Sequence, residues 1–440
     1  MEAEAIDLLV EARWVIPVVP RAAVLEDHAV AVRGGRILEI LPAAEARRRY
    51  RAERVVQRPD HALIPGLVNA HTHAAMTLFR GLADDRPLMV WLQEHIWPAE
   101  QKWVDERFVL DGTRLAAAEM IKGGTTCFAD MYFFPDAVAE VARSTGLRAA
   151  VGLIVLDFPT VWAQDPDEYL SKGAALHDKL RAERRLYTFF APHAPYTVSD
   201  APLEKLGTLA EELDIPIMIH LHETAGEVDE AVAREGRRPF ARLDALGLVS
   251  PRLMAVHMTQ LEPAEIARLA ETGAHVVHCP ESNLKLASGF CPVQALLEAG
   301  VNVALGTDGA ASNNDLDLIG EMRTAALLAK AVSGDAAAVP AAQALEMATL
   351  GGARALGLDG EIGSLEPGKW ADLVAVDLGV LESQPVYDPL SHLVYCTQRN
   401  QVSDVWVAGR PLLQNRALVD LDEGELIACA EGWRARIAGP

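Results

Sequence analysis

Leu67-Val68-Asn69-Ala70-His71-Thr72-His73 ends an apolar run that begins at Ala62, and it places two imidazoles on alternate residues. Alternate residues of an extended chain face the same way, so His71 and His73 can present both rings to one ion. Seven more apolar, strand-like runs follow: Thr125 to Met131, Arg148 to Leu156, Leu186 to Pro192, Ile215 to Leu221, Leu253 to Met258, His275 to Cys279 and Val301 to Gly306. Ala/Leu/Glu-rich helical stretches separate them. Near-continuous apolar strands alternating with helices indicate a parallel sheet covered on its outer face, and eight of them predict a closed (β/α)₈ TIM barrel.

The two ends of the chain read differently. Val30-Ala31-Val32-Arg33-Gly34-Gly35-Arg36-Ile37-Leu38 alternates into a Gly-Gly turn and out again, as a hairpin does, and Val405-Trp406-Val407-Ala408-Gly409-Arg410-Pro411-Leu412 repeats the shape. Two such half-sheets can complete each other. The expected organisation is a composite β-sandwich from residues 1–65 and 359–440, interrupted by a catalytic barrel over 66–358. A chain of 440 residues exceeds what one core usually serves, which fits two domains.

Half of the residues are hydrophobic and 23% are charged, an ordinary globular balance. With 62 acidic against 40 basic residues the formal net charge is -22, and no basic run stands out. Phosphate contacts dominate nucleic-acid affinity, so a polynucleotide partner is not expected. The substrate is expected to be a small molecule, neutral or zwitterionic near its reacting end. The five cysteines form no Cys-x-x-Cys pair, which indicates a reducing compartment and neither a disulfide framework nor a thiolate zinc site. The acidic start MEAEAIDLLVEARWVIP lacks a signal pattern and no apolar run has membrane-spanning length, so the expectation is a cytoplasmic protein with no membrane partner. A homo-oligomer is the commoner state for enzymes of this size.

Working residues of a barrel sit at the C-terminal ends of its strands. The first run ends in His71 and His73, the fifth in His220-Leu221-His222-Glu223-Thr224, the sixth in His257 and the eighth in Thr307-Asp308-Gly309. Ionisable groups after four strands, all at one rim, have no ready structural explanation as a set. Imidazole and carboxylate suit a divalent transition metal, Zn²⁺ first among them. His71, His73, His220 and Asp308 are the expected ligands. His222 shares a strand face with His220, but His220 lies inside the strand, where geometry is better fixed.

This pattern of His-x-His after strand one, His after strands five and six, and Asp after strand eight resembles the amidohydrolase superfamily. Two-metal members bridge their ions with a modified lysine after strand four. Here Ala191-Pro192-His193-Ala194-Pro195-Tyr196 offers none, so one metal per subunit is implied. Trp97-Pro98-Ala99-Glu100, Pro192 to Tyr196, His220 to Thr224, Cys279-Pro280-Glu281-Ser282-Asn283-Leu284-Lys285-Leu286 and Gly306 to Gly309 together resemble the 5′-methylthioadenosine/S-adenosylhomocysteine deaminases. That resemblance implies that Glu100 holds the ribose hydroxyls and His193 contacts the nucleoside. The expected reaction is hydrolytic deamination at C6 of adenine, in 5′-methylthioadenosine, S-adenosylhomocysteine or adenosine, giving the inosine analogue and ammonia.

Hydrolysis at neutral pH needs an activated water, which a bound metal supplies. Attack at C6 also requires a proton at ring nitrogen N1, and Glu223 is placed to deliver it. Asp308 is expected to take the proton of the attacking water and His257 to orient that water. Ser312 and Asn313 are candidate substrate contacts that more often form turns; His278 and Glu281 read as structural. Guanine, cytosine or triazine hydrolysis would use the same metal and acid, and a non-catalytic scaffold is the reading from another class. Holding the homocysteine carboxylate calls for an arginine. The segment Leu156 to Trp162 has none, which favours methylthioadenosine unless Arg80, Arg86 or Arg238 reaches the site.

Overall fold

The computed structural model of the chain describes residues 3–439. Four strands come first: β1 (Glu4–Val15), β2 (Leu25–Arg33), β3 (Arg36–Pro42) and β4 (Tyr50–Pro65). Eight parallel strands follow, each hydrogen-bonded to the next: β5 (Leu67–Thr72), β6 (Thr125–Asp130), β7 (Arg148–Val155), β8 (Leu186–Pro192), β9 (Ile217–Leu221), β10 (Leu253–His257), β11 (His275–His278) and β12 (Val303–Leu305). Four more complete the count: β13 (Leu373–Asp377), β14 (Val402–Val407), β15 (Arg410–Gln414) and β16 (Ala417–Leu418). Helices between the barrel strands cover its outside, each burying one stripe. Asp200–Leu213 buries Leu203, Leu206 and Ala210 at the three-to-four spacing of a helix face.

The barrel closes where β12 returns to β5. Thr72 bridges Asp308, the Asn69 amide bonds Thr307 at 2.8 and 3.0 Å, and the Asp308 N–H donates to the His71 carbonyl at 3.0 Å. Gly306 makes this seam possible. A Cβ there would lie 2.9 Å from the His71 nitrogen and 3.0 Å from its carbonyl oxygen, so no larger residue fits unshifted.

The first apolar run needs a correction. Residues 62–65 do not begin a barrel strand; they end β4 and pair antiparallel with β13, Ala62 opposite Val376 and Pro65 opposite Leu373. The barrel begins at Leu67, after Gly66. A Cβ on Gly66 would meet the Thr126 hydroxyl at 1.9 Å, so the chain can cross between the two sheets only without a side chain. The run looks continuous because both strands are buried and both are apolar. The fifth and eighth runs shorten for a different reason: Ile215-Pro216 and Val301-Asn302 precede their strands as the tails of loops.

The terminal strands form one sheet in the order β16-β15-β14-β13-β4-β1-β2-β3. Its two wings share a core in which Leu8, Val32 and Ile37 from one terminus pack with Leu373 and Trp406 from the other. The two hairpin turns meet there. Gly34 and Gly35 both have positive φ (59° and 75°), as a two-residue hairpin turn requires, and a Cβ on Gly35 would lie 2.7 Å from the Ala408 carbonyl. Among the described residues, no helix is long and apolar enough to cross a membrane.

Candidate active site

His71 ends β5, His73 follows it, His220 lies in β9 and Asp308 comes just after β12. The structure brings all four together, with one ligand atom from each within 4.8 Å of the others. Asp308 Oδ1 lies 3.4 Å from His71 Nε2 and 3.2 Å from His73 Nε2. His222 does not join them: it is buried elsewhere, its Nε2 accepting the Phe240 N–H at 3.1 Å.

The second nitrogen of each ring explains which face is presented. His73 Nδ1 meets the Met131 carbonyl and His220 Nδ1 meets the His193 carbonyl, at 2.5 and 2.8 Å. A carbonyl only accepts, so both Nδ1 atoms carry a proton and the neutral rings turn bare Nε2 atoms to the cluster; against burial, the Asp308 carboxylate holds His73 up at about 9, so its Nε2 sheds a proton on binding a cation. His71 Nε2 and His220 Nε2 then face each other at 3.1 Å. Bare ring nitrogens and a carboxylate crowded together repel unless a cation lies among them, and a ring fixed through its other nitrogen is the usual arrangement around a metal. Burial drives His71 toward the neutral, ligating form, lowering it to about 4, and holds His220 well below the ordinary imidazole range. This donor set suits one divalent cation with nitrogen and oxygen ligands.

The rim is built from strained backbone. His222, His257 and Asp308 all have positive φ (51°, 75° and 61°), which costs a non-glycine residue of order 1–3 kcal/mol each. At His222 the turn reverses the chain so that Glu223 enters the cavity while His222 leaves it. Glu227 stabilises that turn, its two carboxylate oxygens accepting the N–H groups of His222 and Glu223 at 3.1 and 2.7 Å. Thr259 holds the other side, donating to the Glu223 carbonyl at 2.7 Å. Sequence reasoning passed over Glu227, although Thr224-x-x-Glu227 is a recognisable helix-start pattern and the Thr224 hydroxyl does cap that helix.

One cavity of about 640 Å³ ends on this cluster, and Glu100, His193, Glu223 and His257 all line it. Glu223 is buried, and burial raises its carboxyl above the usual carboxylate range. His257 Nε2 lies 3.8 Å from Glu223 Oε2. Glu100, on the helix Trp97–Trp103, accepts the Tyr132 hydroxyl at 2.7 Å, and burial pushes its carboxyl up to about 7. Tyr132 gave no signal in the sequence. His193 is held by Thr197 at 3.1 Å, and burial lowers it to about 3, so the ring is neutral.

The remaining candidates separate clearly. Ser312 lines the cavity but donates to Asp308 Oδ2 at 2.7 Å; Asn313 bonds the Thr307 carbonyl at 2.8 Å and acts within its own loop. Glu281 accepts from Thr324 at 2.8 Å, and His278 is buried with neither ring nitrogen partnered among the described residues. Arg80 pairs with Glu119 and Arg238 with Glu265. Among the described residues, no arginine or lysine lines the cavity, and Trp91, Leu92, Trp97, Phe158 and Val161 give it an apolar wall.

An amidohydrolase family model matches residues 62–412. A relative from Teredinibacter turnerae named 5-methylthioadenosine/S-adenosylhomocysteine deaminase is 50% identical, over 98% of each chain. One of the same name from Saccharophagus degradans is 52% identical, over 98% of this chain and 97% of its own. A crystal structure of an adenosine deaminase from Xanthomonas campestris with bound zinc superposes with a TM-score of 0.98 at 59% identity, over 99% of both chains. An atrazine chlorohydrolase from Arthrobacter aurescens, at 23% identity and a TM-score of 0.90 over 97% of this chain and 99% of its own, shares the fold. The chain belongs to the amidohydrolase family.

Proposed function

We propose that this enzyme hydrolyses the C6 amino group of an adenine nucleoside, with 5′-methylthioadenosine as its preferred substrate, giving the inosine analogue and ammonia. The observation that carries the reading is that one cavity ends on the four-residue cluster, reaching His73, His220 and Asp308, and is also lined by the buried carboxyls of Glu223 and Glu100. The named deaminases at about half identity over nearly their full length support the same reaction.

His71, His73, His220 and Asp308 would hold one divalent transition metal, zinc by the chemistry of the donors and by its presence in the adenosine deaminase neighbour. Such an ion supplies Lewis acidity, which makes water nucleophilic at neutral pH. Glu223 is the proton carrier at the adenine ring: burial favours its protonated form, and it delivers that proton to N1 as C6 becomes tetrahedral. His257 orients the attacking water through Nε2, and the Asp308 carboxylate takes its proton. When the C6–N bond breaks, the amino group takes the proton held by Asp308 and leaves as ammonia, and the C6 hydroxyl proton returns to Glu223. Glu100 accepts hydrogen bonds from both ribose hydroxyls, and His193 contacts the nucleoside.

The preference for methylthioadenosine follows from charge. The amino-acid end of S-adenosylhomocysteine would bring a carboxylate into a cavity that holds Glu100, Glu223 and Asp308 and no lysine or arginine among the described residues. A methyl thioether needs only an apolar wall, which Trp91, Leu92, Trp97, Phe158 and Val161 supply. The free cysteines, none paired, fit a cytoplasmic enzyme, and assembly into a homo-oligomer belongs to the same reading.

Ammonia release from 5′-methylthioadenosine, adenosine, S-adenosylhomocysteine, guanine, cytosine and a chlorotriazine, with metal analysis of the purified protein, tests the proposal. The thioether nucleoside is expected to lead in kcat/KM and one equivalent of transition metal to co-purify. Faster turnover of a free base or triazine would refute the nucleoside reading. Persistent absence of metal after metal-supplemented expression would refute the enzyme reading.

A further inference from the structure

Of the segment Cys279 to Leu286 only Leu286 lines the cavity, yet two neighbouring residues of its short helix, Pro280–Lys285, reach both groups that act on the attacking water. Ser282 and Asn283 are buried, with 0% and 1% of their surface exposed. Ser282 Oγ donates to Asp308 Oδ2 at 2.7 Å, beside the equal contact from Ser312. Asn283 Oδ1 meets His257 Nδ1 at 2.8 Å. The helix is itself tied down: Lys285 Nζ pairs with Asp84 at 2.7 Å and the Glu281 N–H donates to Glu321 at 3.2 Å.

We propose that Ser282 and Asn283 are positioning residues, placed side by side so that one turn of helix sets both the rotation of Asp308 and the tautomer of His257. An amide oxygen accepts and cannot donate, so His257 must carry its proton on Nδ1 and present a bare Nε2 toward Glu223 and the water. Two hydroxyls on Asp308 Oδ2 occupy that oxygen and turn Oδ1 to His71 and His73. The catalytic consequence rests on the deaminase reading above, but the tautomer and the hold on Asp308 do not.

The test is nitrogen NMR of the metal-loaded protein labelled at histidine, with His257 assigned by comparison with His257→Gln. The expected wild-type signal is a proton on Nδ1. Asn283→Asp, which keeps the acceptor oxygen, retains that tautomer, whereas Asn283→Leu loses it and lowers kcat by about 10- to 100-fold with KM changed by less than about threefold, the range typical of partners one layer behind a metal site. Ser282→Ala removes one of two donors and is expected to speed metal release to a chelator by roughly tenfold. A proton on Nε2 in the wild type overturns the Asn283 assignment, as does Asn283→Leu losing activity with the tautomer unchanged. Unaltered metal release from Ser282→Ala overturns the Ser282 assignment. Should Asn283→Leu not fold, the wild-type tautomer still decides the Asn283 assignment and Ser282→Ala the Ser282 one. Neither NMR nor metal release depends on the substrate, so failure of the deaminase reading would show only in the turnover measurements.

Discussion

Glu100 and Glu223 line one cavity and burial raises both, yet the reaction asks opposite protonation states of them. Glu223 is to donate a proton, the form that burial favours, so Glu223→Gln, which preserves shape but cannot give up a proton, is expected to lower kcat by at least about 10²-fold with metal content unchanged. Near-normal turnover would remove Glu223 from the reaction. Glu100 must work in the opposite form, since only a carboxylate accepts from two hydroxyls at once. With its carboxyl pushed up to about 7, it is protonated in free enzyme below that pH, so kcat/KM for the ribonucleoside should rise as pH increases through about 7. A 2′-deoxy nucleoside should be a poor substrate, because a buried acceptor is then left short of a partner. Glu100→Ala should cost about 10²-fold, or about 3 kcal/mol, on the ribonucleoside and much less on the deoxy analogue. Equal losses on both would show that Glu100 does not read the ribose. The metal-cluster side chains, Glu223 and His257 were legible in the sequence because they follow apolar runs, whereas the roles of Glu100 and His193 were marked only by the family resemblance. The groups behind them, Tyr132, Glu227, Ser282 and Asn283, were not: their meaning lies in contacts such as that of Asn283 with His257, across 26 residues, which no local pattern encodes.

At the scale of elements, the strand ends decide whether those side chains meet. Periodicity revealed eight barrel strands since every one is buried on both faces, but it could not divide the run at Gly66, where burial is uninterrupted and only topology changes. Nor could it mark the positive φ of His222, His257 and Asp308, whose turns aim the cavity side chains. The closing seam of β12 against β5 is the tightest of these contacts. Gly306 has no room for even one methyl group, so Gly306→Ala must push β12 away from the backbone of His71. Overpacking of this kind costs about 1–3 kcal/mol. Here the displaced strands carry His71 and Asp308, so the expected signature is a loss of metal affinity larger than the loss of stability. Chelator competition and thermal unfolding on the same sample check it; a lower melting temperature with unchanged metal affinity would show that the seam adjusts without disturbing the cluster.

For the molecule as a whole, the question is what joins the terminal sheet to a barrel whose site opens at the other end. Arg148, the first residue of β7, is buried, and its guanidinium meets Asp372, just before β13, at 3.1 and 3.2 Å. Asp372 Oδ1 also accepts the Ala408 N–H at 2.8 Å, and the Asp372 carbonyl accepts from Gly66 at 2.9 Å. One residue, through its carboxylate and its backbone carbonyl, thus links the start of the barrel, its third strand and the hairpin of the C-terminal wing. A buried ion pair adds little over a well-packed apolar pair, because both charges lose their water, but removing one partner leaves the other charged and unsolvated. Asp372→Asn keeps an acceptor for Ala408 and shape for the turn while removing the charge opposite Arg148. It should destabilise the protein by about 3–5 kcal/mol, and pairing it with Arg148→Met should restore much of that loss. The residues of a barrel's N-terminal face serve stability and those of its C-terminal face serve chemistry. The variant is therefore expected to keep wild-type kcat and metal content at a temperature where it remains folded. Denaturant unfolding of the two variants beside their kcat values measures both halves of the claim. A loss below about 1 kcal/mol would show that water reaches Arg148 when its partner is neutral, and a large fall in kcat would show that the terminal sheet is coupled to the site through β7.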